Sequence, residues 1–345
     1  MRKTGILAAV LALALSLSAC GTDAPAASSQ GPVEFEAQTW ILACAGGEDS
    51  PERQAAETFA QRLFERTHGT VRAECVSLCS LGDGGYETAV DALRAGDADI
   101  VWATAAEFAA VDARLDAASL PFLYLSREEA EAAMDGDGGA ALGEILAENG
   151  FRCLGIGTEG FRLLSNSQRP VESLAGLSGL RIRAGGGDVV SRSLTLWGAE
   201  VVDAPWPGVY TALETGVYDG QESLPEDAWA ASLQKVQKYV CDWPAFYSAA
   251  YLCMDGALYD SLAPLLAGIA GDCGAEAAAV QRQASLARDE EILSQWKSAV
   301  RGNRVATLSE DALAEFRQAA QPVWQAFAGR YPASLVSRLT PEGAN

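Results

Sequence analysis

The chain has 345 residues and a formal net charge of -21 at pH 7, from 25 lysines and arginines against 46 aspartates and glutamates. Its hydrophobic content of 49% is ample for packed cores, so the composition excludes an intrinsically disordered chain. A surface this acidic repels nucleic acid and anionic lipid headgroups, which argues against both as partners.

Residues 1–19 have the pattern of an export signal peptide, because two basic residues precede an apolar run that is too short to cross a bilayer as a helix. The run ends in "LSAC", which resembles a bacterial lipobox whose cysteine, here Cys20, becomes the lipid-modified first residue of the mature protein. An ordinary signal peptide cleaved nearby is the alternative. Residues 20–33 begin with this cysteine and continue with the small and polar composition of a flexible tether.

Seven of the eight cysteines follow Cys20, and an odd number leaves at least one thiol unpaired. Export permits disulfides, yet several of these residues stand in apolar runs, where a cysteine is usually a small buried hydrophobe. Cys75 and Cys79 are predicted on one strand, about 13 Å apart and beyond disulfide reach. With His68 as the only histidine, the CxxxC spacing does not fit a zinc site, so we predict no metal. The disulfide pattern stays open.

Strands and helices alternate along the chain after the tether. Buried-strand segments "EFEAQTWILACA", "TVRAECVSL" and "DIVWAT" are separated by amphipathic helical segments "SPERQAAETFAQRLFERTHG" and "GGYETAVDALRAGDA". This order is typical of a mostly parallel sheet with helices on both faces. A pair of helical segments and the strand "RCLGIGT" follow.

A second α/β unit begins near Phe161, with "GLRIRA" and "AEVVDAP" as strands and "DVVSRSLTLWG" and "GVYTALETG" as helices. Two such units in tandem predict two lobes with a cleft between them, where a small ligand is enclosed by both. The charged helical segment 274–302 is long enough to brace both lobes.

The segment "GLRIRAGGGDVVSRS", residues 179–193, is cationic within an acidic chain. Alternate residues of a strand share a face, so Arg181 and Arg183 are expected to point the same way. Arg183 lies nearer the carboxyl end, where doubly wound sheets bind ligands. The glycines after it allow close backbone approach, and the next helix offers its N-terminus to an anion. We therefore predict an anion site at Arg183.

Other interpretations of this segment remain open. An interior salt bridge would account for Arg183 without a ligand, and Arg181 and Arg192 suit a paired or solvated surface. A nucleotide-binding loop fits poorly, because Val190 stands where the third glycine of that motif belongs.

Catalysis finds little support in the sequence. The single histidine, His68, closes a surface helix, so a histidine-based triad is not expected. Neither G-x-S-x-G nor H-E-x-x-H occurs. A catalytic carboxylate pair stays possible among so many acidic residues, but no motif supports it. We predict no enzyme activity and no cofactor.

The segments "GFR", "NSQRPV", "GLRIR", "GAEVV", "VYTALETGVYDGQE" and "VQKYV" follow one another between residues 160 and 240. In this order and spacing they resemble the extracytoplasmic solute-binding subunits of TRAP transporters, the DctP family. The resemblance extends through "ERTHGTVRAECV", "ALRAGDADIVWAT" and "LPFLYL" and covers most of the mature chain. It implies a two-lobed protein of the periplasmic-binding type (type II) that closes on an organic anion and hands it to a membrane permease powered by ion gradients.

In this family the arginine of the G-L-K-I-R segment grips the ligand carboxylate, and Arg183 occupies that position. The arginine of "GFR", here Arg162, assists. The chain departs from the family at Ser223, where asparagine usually helps to hold the carboxylate, and at the three glycines after Arg183. Gly208 also stands where a polar or acidic residue is common. These changes widen the expected pocket and predict a ligand bulkier than a simple dicarboxylate.

Trp206, Trp102 and Phe246 are candidate pocket-lining aromatics, with core packing as the alternative for each. We assign residues 34–160 with about 249–288 to lobe I, and 161–248 with about 289–340 to lobe II. Hinges are expected near 157–160 and 243–249.

The sequence thus predicts a lipid-anchored extracytoplasmic binding protein for a small carboxylate, with a TRAP permease as its partner. A sensory binding module and, further off, an enzyme acting on acidic sugars are the alternatives.

Overall fold

The computed structural model describes residues 35–82, 85–86 and 88–341. The signal peptide, Cys20 and the tether predicted from the sequence lie outside the described residues. The strands are β1 Gln38–Cys44, β2 Val71–Ser77, β3 Ile100–Thr104, β4 Phe151–Phe161, β5 Leu163–Asn166, β6 Arg181–Ala184, β7 Glu200–Val202, β8 Gly220–Ser223, β9 Tyr239–Asp242, β10 Tyr247–Asp255 and β11 Arg304–Thr307.

The helices are α1 Pro51–Arg66, α2 Ala89–Ala95, α3 Ala105–Ala109, α4 Arg127–Asp135, α5 Asp137–Glu148, α6 Leu174–Leu177, α7 Gly187–Leu196, α8 Val209–Glu214, α9 Pro225–Ala230, α10 Gly256–Ser261, α11 Pro264–Ala299, α12 Glu310–Phe327 and α13 Ala333–Leu339. Short 3-10 helices lie at Leu78–Ser80, Ala113–Ser119 and Leu233–Lys235. No helix of the described part of the chain has the length and apolar character needed to cross a membrane.

The strands form two sheets, each with one reversed strand. The first has the order β2-β1-β3-β10-β4, in which β10 runs antiparallel to both its neighbours. The second has the order β11-β9-β5-β8-β6-β7, in which β5 is the reversed strand. The predicted two-lobed α/β architecture with mostly parallel sheets is therefore confirmed.

The chain crosses between the sheets at two neighbouring points. β4 ends at Phe161 in the first sheet and β5 begins at Leu163 in the second, so Arg162 alone separates them. The return passes through residues 243–246, between β9 and β10. The backbone N–H of Arg162 donates to the carbonyl oxygen of Phe246 at 3.0 Å, which ties the two crossings together. The predicted hinges lie beside or at these crossings, and hinge motion there stays a prediction.

Helix α11 packs along both sheets and is the predicted brace. Its N-terminal half contributes Leu266 and Ala270 to the hydrophobic core beside the first sheet. Its C-terminal half contributes Ile292 and Trp296 to the core beside the second. The helix starts at Pro264, about three turns before the predicted start, because proline is favoured in the first helical turn.

The C-terminal helices differ from the predicted lobe boundary. Residues 289–340 were assigned to lobe II, and Phe316 of α12 does pack with the second sheet. Further along, Val323, Phe327 and Leu339 belong to the core of the first sheet. The chain therefore returns to the first lobe within α12, whose successive turns face different cores.

Cys75 and Cys79 do not share a strand as predicted. β2 ends at Ser77, and Cys79 lies in the 3-10 helix that follows. His68 is exposed just after the end of α1. No group of three or more histidine, cysteine or acidic side chains suited to a metal ion occurs among the described residues.

Candidate functional site

The side chain of Arg183 is buried without a carboxylate partner. It projects from β6, in the interior of the second sheet, and the residue is only 8% exposed. Its Nε donates to the carbonyl oxygen of Ala204 at 3.0 Å, and its guanidinium carbon lies 5.1 Å from the centre of the Trp206 ring. Burial lowers the pKa of Arg183 from its usual value.

The remaining N–H groups of Arg183 have no acceptor among the described residues, and no described carboxylate forms an ion pair with it. The interior salt bridge weighed from the sequence is therefore not the arrangement found. A buried guanidinium with free donors is poised for a charge-assisted, two-pronged contact with a carboxylate.

Arg181 has a different environment from Arg183, although both lie on β6. Its side chain is 41% exposed and forms an ion pair with Asp219 at 2.7 Å. It also donates to the carbonyl oxygens of Gly216 and Val217. This is the paired surface role, and Arg192 is likewise exposed.

Arg162 is already neutralised inside the protein. Its Nε donates to Oε1 of Glu222, and its Nη2 lies 3.4 Å from Oε2 of the same carboxylate. Glu222 has no exposed area. The expected assistance of Arg162 in gripping a ligand therefore stays a prediction, whereas its contact with Glu222 is part of the fold.

The glycine segment after Arg183 serves this internal network. The backbone N–H groups of Gly185 and Gly186 donate to Oε2 of Glu222 at 3.1 and 3.2 Å. A Cβ on Gly185 would lie 2.4 Å from Nη1 of Arg183, and one on Gly186 would lie 2.8 Å from Nε of Arg162. The glycines leave room for two arginines, and the anion bound at the start of α7 is the Glu222 carboxylate.

A cavity of about 420 Å³ lies between the two sheets. The first lobe lines it with Trp102 and Thr104 at the end of β3 and with Glu159 from β4. The second lobe lines it with Leu224, Glu226 and Asp227 at the start of α9. Helix α11 closes one side with Ser285, Arg288 and Asp289. This is the predicted interlobe cleft.

Carboxyl groups dominate the charge of this cavity. Burial and then the charge of Glu52 raise the pKa of Glu159 to about 8, while Ser248 donates its hydroxyl to Oε2 of Glu159 at 2.9 Å. Burial also raises the pKa of Asp227, against the opposing charges of Arg162 and Arg183. Near neutral pH, Glu159 is therefore largely protonated and has a proton to donate.

Neither Arg183 nor Arg162 lines this cavity, although the charges of both act to lower the pKa of Asp227, which does line it. Of the three aromatic candidates, Trp102 is part of the cavity wall, and its buried indole N–H has no described acceptor. Trp206 covers the guanidinium of Arg183.

Phe246 corrects a prediction. It has no exposed area and stacks on Trp197 with ring centres 5.6 Å apart, so it packs in the core of the second lobe instead of facing the cavity. The reason is its position in the segment 243–246 between the two sheets, which packs against the core of the second lobe.

Ser223 is 1% exposed and donates its hydroxyl to the carbonyl oxygen of Leu224 at 3.0 Å. Its side chain is therefore engaged in a local hydrogen bond, and contact of Ser223 with a ligand stays a prediction.

Sequence reasoning did not single out Glu159, Glu222 or Asp227. Glu159 had a signal, because it is the one charged residue in the glycine-rich second half of β4. Glu222 belongs to the "GQE" segment, but nothing in the sequence around it predicts its ion pair with Arg162.

A model for bacterial extracellular solute-binding proteins, family 7, matches residues 42–330. The 2,3-diketo-L-gulonate-binding periplasmic protein of Escherichia coli is 28% identical over 245 residues, covering 71% of this chain and 74% of that protein. Among solved structures, a TRAP periplasmic solute-binding protein from Ochrobactrum anthropi aligns with a TM-score of 0.83 at 28% identity, covering 88% of this chain and 94% of its own.

Another TRAP periplasmic solute-binding protein, from a Sulfitobacter species and with bound β-D-galacturonate, aligns with a TM-score of 0.76 at 25% identity and covers 87% of this chain and 99% of its own. These relatives are named as solute-binding proteins. The family model, the relatives and the solved structures agree with the resemblance seen in the sequence. The chain belongs to family 7 of the bacterial extracellular solute-binding proteins, the DctP family of TRAP transporter solute-binding subunits.

Proposed function

We propose that this protein captures a sugar acid in the cleft between its lobes and delivers it to a TRAP permease. The observation that carries the proposal is Arg183, a buried guanidinium with free donors and no counter-ion. It supplies one strong site for one carboxylate. Trp206, packed on its face, keeps the guanidinium oriented.

The acidic cavity wall favours a monocarboxylate rich in hydroxyl groups. A second carboxylate on the ligand would face Glu52 and Asp227, and like charges at close range are unfavourable. Hydroxyl groups suit this wall, because they donate to ionised carboxylates and accept from a protonated one. The diketogulonate-binding relative and the galacturonate-bound structure support this ligand class.

The roles of the site residues follow from this pose. Arg183 holds the carboxylate of the ligand, and Arg162 assists from its pair with Glu222. Trp102 offers its indole N–H to a ligand oxygen from the first lobe. Closure of the lobes about the crossings at Arg162 and residues 243–246 then excludes water from these contacts.

We test the ligand class by thermal unfolding and calorimetry with galacturonate, glucuronate, aldonic acids and succinate. A ligand that binds only the native state raises Tm by mass action. We expect sugar acids to raise Tm more than succinate does, and the bound acid to be recovered unchanged, as a carrier requires. Stronger binding of succinate would contradict the argument from the acidic wall. Turnover of a sugar acid would favour the enzyme alternative.

We also propose that the protein is tethered to the membrane by lipid on Cys20. The support is the "LSAC" sequence and the small, polar segment after it. Mass spectrometry of the mature N-terminus tests this, since lipidation and cleavage before Cys20 give a distinct N-terminal peptide. An unmodified N-terminus would leave the ordinary signal peptide as the explanation.

A further inference from the structure

Two cysteines face each other across the first sheet. In the antiparallel pair formed by β4 and β10, Cys153 pairs with Cys253, next to a shift of register between Leu252 and Cys253. Directly opposed residues of antiparallel strands have Cα atoms roughly 4.5 to 5.5 Å apart and side chains on the same face. That separation falls within the range that a disulfide spans, roughly 4.4 to 6.8 Å.

The other cysteines near one another in the first sheet lack this arrangement. On the parallel strands β1 and β2, Cys44 lies opposite Ser77, and Cys75 lies opposite Leu42. Cys44 and Cys75 are therefore offset along the strands and do not face each other. In the second sheet, Cys241 lies opposite Leu164 on one side. The opposed pair is therefore distinct in its geometry among the described residues of these sheets.

A route from solvent reaches one member of the pair. Cys153 lines a cavity of about 640 Å³, whose floor is β4 and whose walls are α5 and the middle of α11. Cys253 has no exposed area and lies beneath it in the core. An incoming reagent therefore meets Cys153 first.

The electrostatics agree with this order of access. A hydrogen bond with Cys253 lowers the pKa of Cys153, and the charge of Arg152 acts in the same direction. Burial raises the pKa of Cys253 well above its ordinary value. Ionisation is thus favoured at Cys153, the cysteine that lines the cavity, and the thiolate is the reactive form.

We propose that Cys153 and Cys253 are a dithiol that is oxidised to a cross-strand disulfide by a disulfide-containing oxidant entering the cavity beside α5. The compartment permits it, because members of this family work outside the cytoplasm. This modification site is independent of the ligand cleft and of the proposed function.

The reaction balances as two exchanges. The Cys153 thiolate attacks one sulfur of the oxidant, whose S–S bond breaks and releases a thiolate that takes up a proton. The Cys253 thiol then loses its proton and attacks the Cys153 sulfur of the mixed disulfide, and the second thiol leaves. Two protein thiols are oxidised, and one oxidant disulfide is reduced to two thiols.

The test is peptide mapping of the full-length protein after incubation with oxidised glutathione, with free thiols alkylated under denaturing conditions. Trypsin releases residues 153–162, and an Asp-directed protease releases residues 242–254, so each fragment carries a single cysteine. We expect these two fragments to be linked before reduction and separate after it. We also expect the oxidised protein to have a Tm higher by about 5 °C or more, since the bond closes a loop of about 100 residues.

Cys153→Ser should abolish both the linked fragment and the shift of Tm, whereas the matched control Cys241→Ser should keep both. Peptide mapping of the wild-type protein needs no variant, so it tests the proposal even if a substitution disturbs folding. Full alkylation of Cys153 and Cys253 after oxidation would overturn the proposal. So would glutathione retained on Cys153, or a link from Cys153 to another cysteine.

Discussion

Removal of the Arg183 guanidinium should abolish tight ligand binding while sparing the fold. In Arg183→Ala the carboxylate of the ligand loses its charged partner in a water-poor site, a loss of about 2 to 5 kcal/mol. The dissociation constant should then rise roughly thirty-fold to a few thousand-fold. The side chain makes one hydrogen bond to the backbone and one contact with Trp206, and it has no ion pair to lose.

The same structural facts set the expected stability. A buried guanidinium without a counter-ion destabilises the native state, because it has lost its hydration. Arg183→Ala removes this unfavourable contribution together with the favourable packing of the side chain. The free energy of unfolding of the unliganded variant should therefore change by no more than about 2 kcal/mol. Titration calorimetry with the acid selected by the thermal screen measures the affinity, and urea unfolding measures the stability.

Two controls sharpen this test. Arg181→Ala removes an exposed arginine of the same strand and should leave the affinity unchanged. Arg183→Lys keeps the charge but loses the planar fork, so it should restore only part of the affinity. Wild-type affinity in Arg183→Ala would refute the assignment. A loss of affinity explained wholly by unfolding would refute the reasoning about burial.

Three further predictions concern the residues around Arg183. Arg162→Ala should lower the free energy of unfolding by about 3 to 5 kcal/mol, because it strands the fully buried Glu222 carboxylate; urea unfolding measures this, and near wild-type stability would contradict the pairing. Gly185→Ala should weaken ligand binding more than it lowers Tm, because the new Cβ displaces the end of the Arg183 side chain; unchanged affinity in calorimetry would argue against that placement. Glu159 has a folded pKa of about 8, above the ordinary carboxyl value, so its native state keeps a proton that the unfolded chain releases. Its stability contribution is then complete below pH 4 and is lost as the pH rises toward 8, with a slope of at most about 1.4 kcal/mol per pH unit. Asp289 and Asp116 also have raised pKa values, so the measurement is the difference between wild type and Glu159→Gln in unfolding from pH 5 to 8, and parallel curves would show that Glu159 is ionised in the native protein.

Periodicity predicted the elements that alternate regularly along the chain. Strands β1 to β3 and helices α1 and α2 lie within the predicted segments, since apolar spacing and glycine ends mark them locally. The longest strand that the sequence analysis omits is β10, whose residues are buried from Tyr247 to Met254. A strand covered on both faces shows no alternation, and the sequence instead predicts a hinge near 243–249, over the start of this strand.

For the site, the sequence predicted the cation but not its surroundings. Arg183 stood out because alternate arginines are unusual in an acidic chain. The link between Arg162 and Glu222 joins residues sixty positions apart, and no local pattern reports such a pairing. The glycines were read as room for a ligand, whereas the space they leave is filled by arginine side chains. Phe246 was misplaced for a similar reason, since its neighbours come from other elements.

The carboxylate of Glu222 fastens the glycine segment after β6 to Arg162, the single residue between the two sheets. We therefore expect a rotation of the backbone at that crossing to move the Gly185–Gly186 backbone, which adjoins Arg183, in the same direction. We therefore expect the angle between the lobes and the position of the Arg183 guanidinium to change together when the lobes move.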